Sequence, residues 1–279
     1  MRTPDFLIIG GMKCGSTTLY RDLLTNPRVF FPIDKEPESL CHDQVLSEQG
    51  RAKYAAMFES AREGQLCAEA STAYTKRPDY EGVAERAKAV CSPELKVIYL
   101  VRDPVNRLVS HHYHQYSRGL MPRSVDEAVR SFPELVNYSK YAMQVEPWLE
   151  ALGPGSVRIV RFEDYVSDRA GWSSRLCEFL GIEAKPELVE VEKVFNKSEG
   201  KPVMRGPWRL VAHHPVYRRF IRPLMPVGLK DRLRGKVLPK APARPEPPSE
   251  ATRAWILEQV GEDQGRLEEI LRSGVSLPV

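Results

Sequence analysis

The stretch Phe6-Leu7-Ile8-Ile9-Gly10-Gly11-Met12-Lys13-Cys14-Gly15-Ser16-Thr17-Thr18-Leu19-Tyr20 runs from an apolar segment through a glycine-bounded loop into a hydroxyl-rich helix start. Phe6–Ile9 has no polar alternation, which is the pattern of a strand buried on both faces. Thr17–Leu24 places Leu19, Leu23 and Leu24 on one helical face. Between the two, backbone N–H groups and a helix N-terminus converge, an architecture that binds anions. Gly10 and Gly15 keep the glycine spacing of a Walker A loop, but Ser16 stands where its lysine belongs and Lys13 lies inside the loop.

Three further apolar runs, Gln65–Ala68, Val97–Val101 and Val157–Val160, each end in polar residues or turn formers. Helical stretches lie between them, including Tyr141–Leu152 with Val145, Trp148, Leu149 and Leu152 on one side. Strands alternating with helices predict an α/β fold: a central parallel sheet flanked by helices, with ligands at the carboxyl ends of the strands. The 279 residues, 42% hydrophobic and 28% charged, suit an ordered globular chain, read here as a single domain over 1–279. Cys14, Cys41, Cys67, Cys91 and Cys177 are odd in number, scattered and never in a CxxC pair, which suggests neither a disulfide framework nor a zinc site. No apolar run approaches the ~18 residues of a membrane span, so no integral membrane segment is expected and a cytoplasmic location is.

The run Lys96–Val101 ends in Arg102-Asp103-Pro104 rather than in a lone metal-binding acid. A lysine-bearing loop without Mg²⁺ apparatus suits transfer of a group less charged than phosphoryl. At Lys13-Cys14-Gly15-Ser16-Thr17-Thr18 the chain resembles the sulfotransferases that use 3′-phosphoadenosine 5′-phosphosulfate (PAPS), closer to their carbohydrate-modifying and bacterial branches. Val101-Arg102-Asp103-Pro104-Val105-Asn106-Arg107-Leu108-Val109-Ser110 resembles the same family's strand-loop-helix around the nucleotide 3′-phosphate. The resemblance implies the P-loop-NTPase-like sulfotransferase fold, PAPS as co-substrate with 3′-phosphoadenosine 5′-phosphate (PAP) as product, and no metal. It implies that Lys13, Cys14, Gly15, Ser16, Thr17 and Thr18 hold the 5′-phosphosulfate and that Arg102 and Ser110 hold the 3′-phosphate.

Further likenesses extend to Gly206. Asn196 to Lys201 with Arg205-Gly206 resembles the late loop that closes over the nucleotide, which implies roles for Lys201, Arg205 and Gly206. Phe30 to Asp43 resembles the segment where carbohydrate sulfotransferases place a catalytic glutamate, and Glu36 aligns with it, Glu38 and His42 being alternatives. Glu69-Ala70-Ser71-Thr72-Ala73-Tyr74 resembles a substrate-cleft motif in which some relatives carry lysine at Ala70. Arg161-Phe162-Glu163-Asp164-Tyr165, followed by Phe179-Leu180-Gly181, reads as structural.

The implied chemistry is in-line sulfuryl transfer to a hydroxyl or amine of a small molecule, glycan or lipid. Lys13 would neutralise the departing nucleotide and Glu36 would take the acceptor proton. His111 and His114 are one helical turn apart, yet no carboxylate or cysteine completes a metal shell. The net charge of +4 divides unevenly: Arg205–Arg244 holds eleven Lys/Arg against Asp231 alone, giving +10 there and −6 elsewhere. Ten of the 23 prolines fall between Pro202 and Pro248, so 205–248 reads as an irregular basic flap over nucleotide or acceptor. After it, Ser249 is a candidate N-cap for a last helix that Gly261 and Gly265 should weaken. Two rivals are a P-loop kinase or NTPase, against which Ser16 stands, and a non-enzymatic basic anion-binding module. No nucleic-acid partner is expected, and the oligomeric state is not readable.

Overall fold

The computed structural model describes residues 1–32, 35–193 and 242–275. Strands β1 (Phe6–Gly10), β2 (Val29–Phe30), β3 (Leu66–Ala70), β4 (Lys96–Val101) and β5 (Val157–Arg161) form one sheet in the order β2-β3-β1-β4-β5. Every pairing is parallel, with Phe6 opposite Ala68 on one side and Lys96 on the other. The four apolar runs of the sequence are β1, β3, β4 and β5. The two-residue β2 is too short to show a pattern.

All five residues of β1 are buried, and Val97 to Val101 are at most 3% exposed, as expected of strands covered on both faces. The covering helices are α1 (Ser16–Leu24), α2 (Glu48–Ala56), α3 (Val83–Val90), α4 (Pro104–Ser117), α5 (Val125–Ser131), α6 (Glu134–Asn137), α7 (Tyr141–Leu152), α8 (Phe162–Ser167), α9 (Arg169–Leu180) and α10 (Glu250–Ile270). Helix α1 packs with α9, and α7 packs with α3 and α10. From β1 the chain crosses to the β3 side, and from β4 to the β5 side. The strand order therefore reverses between β1 and β4, which opens a crevice beyond their carboxyl ends.

Helix α10 is one continuous helix, against the expectation that Gly261 and Gly265 weaken it. Glycine costs about 1 kcal/mol per position in a helix interior. Tertiary contacts outweigh this: Ile256 and Val260 are buried with Val105, Leu108, Val129 and Leu135, while Leu267 joins the main core. The Asp263 carboxylate, 4% exposed, accepts from Ala142 N at 3.0 Å and Met143 N at 2.8 Å, and so caps α7 from a different helix. Ser249 caps α10 as expected, its hydroxyl accepting from Thr252 N. Among the described residues, no helix is long and apolar enough to cross a membrane.

Candidate active site

Beyond the end of β1 the loop turns sharply and returns against β4, where Gly11 N donates to Leu100 O at 2.6 Å. Lys13 has φ +70° and Gly15 has φ +88°. At Gly15 a side chain is excluded twice. The left-handed backbone disfavours it, and a Cβ would lie 2.6 Å from the Phe162 ring. At Gly10 the added atom would overlap Thr75 Oγ1, which donates to Ile9 O at 2.8 Å. The loop is thus narrow because two glycines let side chains from elsewhere close on it.

Gly15 caps α1, accepting from Thr18 N at 2.8 Å and Leu19 N at 3.2 Å. A helix start points its first N–H groups out along the axis, and here they belong to Ser16 and Thr17, with Ser16 buried. Cys14 has its side chain in the core beside the loop. Its N–H donates to Gly11 O at 3.0 Å and its fully buried sulfur lies 3.6 Å from the Tyr141 hydroxyl. Burial pushes the Cys14 thiol up to about 11, so it stays protonated.

Arg102 leaves the end of β4, and the following Asp103-Pro104 starts α4. The Asp103 side chain accepts from Asn106 N at 2.8 Å as N-cap, and Pro104 occupies the first turn. Arg102 donates to the carbonyl of Lys13 at 3.3 Å, and its guanidinium lies 4.6 Å from the Phe162 ring centroid. Its buried Nε makes no hydrogen bond among the described residues and stands 4.0 Å from Glu163 Oε1. One turn and two turns along α4, Asn106 and Ser110 face the same cavity as Arg102. The two sequence motifs are therefore one site.

The opposite face of α4 is buried. Arg107, fully inaccessible, donates to Ser139 Oγ at 2.8 Å and to the Leu135 carbonyl, and its Nη1 lies 3.4 Å from His111 Nδ1. Burial, reinforced by Arg107, His114, Lys76 and Lys13, pushes His111 down to about 2, so its imidazole is neutral at physiological pH. It stacks on Tyr138, whose hydroxyl bonds Asp79. His112 engages the Pro122 carbonyl at 2.9 Å. Both histidines thus have partners, and among the described residues no group of His, Cys, Asp or Glu is placed to hold a metal.

Glu36 follows β2 and lies across the end of β3, its N–H donating to Ala70 O at 3.1 Å. Its backbone is left-handed at φ +61° and its carboxylate pairs with Lys35 at 2.6 Å. Glu38 starts the 3-10 turn Ser39–Cys41, and the His42 ring packs edge-on to Tyr80. Of the three candidate bases, Glu36 is the one tied to the strand next to β1. Within β3, Glu69 is 1% exposed and accepts from Tyr54 Oη at 2.5 Å, with Tyr74 beside it. Burial raises the Glu69 carboxyl to about 7. Tyr74 in turn accepts from Leu40 N at 3.3 Å, which fixes the turn that follows Glu36.

Lys201, Arg205 and Gly206 lie outside the described residues. Phe162 and Glu163, read from sequence as structural, instead stand on Gly15 and Arg102. Arg244 lines the cavity of Arg102 and Ser110, a placement the sequence did not reveal. The only sequence signal for it was membership of the basic segment.

The sulfotransferase domain family matches residues 3–201. A mouse heparan sulfate glucosamine 3-O-sulfotransferase 3A1 is 28% identical over 250 residues, an alignment covering 79% of this chain and 59% of that protein. The chain thus spans about three-fifths of the relative's length. A sulfotransferase from Alicyclobacillus acidocaldarius superposes with TM-score 0.58 at 24% identity, over 71% of this chain and 88% of the other. The sulfotransferase domain of the curacin biosynthetic pathway gives 0.52 at 19% identity, over 94% and 99%. These likenesses confirm the parallel-sheet fold read from the four apolar runs and the helical stretches between them. Because the family match takes in well over half of the residues, among them Lys13 and Arg102, the protein belongs to the sulfotransferase domain family.

Proposed function

We propose that the protein transfers a sulfuryl group from PAPS to a hydroxyl or amine of a small molecule, glycan or lipid and releases PAP. The observation that carries this reading is the Arg102 bond to the Lys13 carbonyl, which joins a lysine-bearing anion loop to an arginine-serine pair at one crevice. The residues fit the nucleotide on two counts. The loop runs into the N-terminus of α1 at Ser16 and Thr17, where backbone N–H groups can meet an anion, and Arg102 has a buried donor with no hydrogen-bond partner among the described residues.

PAPS supplies an activated sulfuryl group on a phosphate leaving group. The acceptor oxygen or nitrogen forms the new bond to sulfur as the bond from sulfur to the bridging oxygen breaks. Lys13 stabilises the charge gathering on that oxygen, and the Ser16 and Thr17 amides with the Thr18 hydroxyl hold the 5′ end. Glu36 takes the proton the acceptor loses. Arg102 and Ser110 grip the 3′-phosphate, Arg102 with a planar fork of donors. A glycan hydroxyl is the acceptor class that the mouse relative's name brings nearest. A reducing, cytoplasmic setting belongs to the same proposal, supported by five cysteines that are all unbonded.

Calorimetric titration with PAP and with AMP tests the nucleotide assignment, and labelled PAPS with alcohol, amine and sugar acceptors tests transfer. PAP is expected to bind far more tightly than AMP. Equal affinities would overturn the 3′-phosphate site.

A further inference from the structure

The cavity that holds Arg102 and Ser110 has a second arginine, brought from the far end of the chain. Arg244 and Pro245 form part of its wall, together with Asn106, Tyr113 and His112. Among the described residues, no carboxylate lines it. Two guanidiniums, a hydroxyl and an amide around one concavity form a donor set for a doubly charged oxyanion.

The segment that brings Arg244 there is fastened at both ends. The Tyr113 hydroxyl donates to Pro242 O at 3.0 Å, and Ser249 N donates to the Asp126 carboxylate at 3.0 Å. Between these clasps, Pro242, Pro245, Pro247 and Pro248 restrict the backbone, so little conformational freedom remains to be lost on binding. The Arg244 guanidinium lies 5.5 Å from the Tyr113 ring centroid, and both residues line the cavity with Ser110.

We propose that Arg244 is a further ligand of the nucleotide's 3′-phosphate and a determinant of selectivity for 3′-phosphorylated nucleotides. The assignment rests on the PAPS reading above and adds to it a residue beyond the matched region, which ends at residue 201. Arg102 approaches the phosphate from the end of β4, Ser110 from α4, and Arg244 from the strap across the cavity. The strap then acts as a fixed wall of the nucleotide site, and the last residue of the basic segment has a defined task.

The test is calorimetric titration of PAP, with AMP measured by displacement, on wild type, Arg244→Gln and Arg244→Lys. Losing a charge-assisted contact to phosphate should weaken PAP about tenfold to a hundredfold in Arg244→Gln and leave AMP unchanged. Arg244→Lys, which keeps the charge but not the fork, should fall between. Unchanged PAP affinity in Arg244→Gln overturns the assignment. So does an equal loss of PAP and AMP, which marks the strap as a merely structural clasp. Thermal melts of each variant check that the strap stays seated. Wild-type protein that binds PAP and AMP alike would instead overturn the nucleotide reading itself, so the two failures are distinguishable.

Discussion

The Arg102 guanidinium donates to the carbonyl oxygen of Lys13 at 3.3 Å, joining residues 89 positions apart at the carboxyl ends of neighbouring strands. The bond means that Arg102 does two things. It ties the loop at Lys13 to the end of β4, and under the proposed function it offers its remaining donors to the nucleotide. Arg102→Gln should therefore weaken PAP by about tenfold to a hundredfold and erase most of the preference over AMP, as read by calorimetry. Undiminished preference would show that the 3′-phosphate sits elsewhere.

Lys13 and Glu36 should separate in kinetics. Under the proposed function, Lys13→Ala removes a donor to charge that develops only in transfer, so kcat should fall by about 10²–10³-fold with PAP affinity changed far less. Glu36→Gln should lower kcat by about 10²–10⁴-fold, with PAP affinity intact. If Glu36→Gln retains full turnover while Glu38→Gln or His42→Asn loses it, the base is reassigned to that residue.

Gly15→Ala tests the cradle. The substitution places a side chain at φ +88° and 2.6 Å from Phe162, so backbone strain and a clash act together. A stability loss of about 1–3 kcal/mol is expected, read as a fall in Tm of several degrees, together with weaker PAP binding. Phe162→Leu in the same background should recover part of the Tm by relieving the clash alone.

The parts of the site that were legible are those whose physics is local in sequence. An apolar run, two glycines five residues apart and the following hydroxyls identify the loop because strand, turn and helix start are consecutive. Arg102-Asp103-Pro104 was legible for the same reason, since N-cap and first-turn proline adjoin the arginine. The burial of the Cys14 side chain against Tyr141 is not legible, because a six-residue loop motif does not say which member faces the core. Phe162 and Glu163 reach the site from the start of α8 and Arg244 from the end of the basic segment, and no periodicity encodes that meeting. Continuity of α10 through Gly261 and Gly265 likewise depends on Ile256, Val260 and Asp263 finding partners on other helices.

Glu69 gives a pH dependence with a definite sign. Burial raises its carboxyl from 4.5 to about 7, so the folded protein holds a proton that the unfolded chain releases. As pH rises from about 4.5 to 7, the unfolded chain ionises this carboxyl while the folded state keeps it protonated, and stability falls across that window by about 3 kcal/mol. Glu69→Gln keeps a hydrogen-bond acceptor for Tyr54 without the titration. Its Tm should lose less than wild type between pH 5 and about 8. Parallel curves for the two proteins would remove Glu69 as the source.

The last prediction concerns what holds α1, and with it the loop, against the rest of the protein. Asp22 is 2% exposed, accepts from Arg169 at Oδ2 (2.9 Å) and Oδ1 (2.5 Å), and also receives the Tyr165 hydroxyl. Arg169 also donates to Val191 O and Lys193 O, so the pair ties α1, α8, α9 and the chain after α9 to one point. Removing one member leaves the other charge buried, which typically costs 3–5 kcal/mol, whereas replacing both with apolar residues can be nearly neutral. Asp22→Ala should therefore lose about that much in urea denaturation, and Asp22→Leu with Arg169→Met should recover a large part of it. Because α1 carries Ser16 and Thr17, the single variant should also weaken PAP at temperatures where it is still folded. Additive single and double variants would mean that the two side chains do not act as a pair.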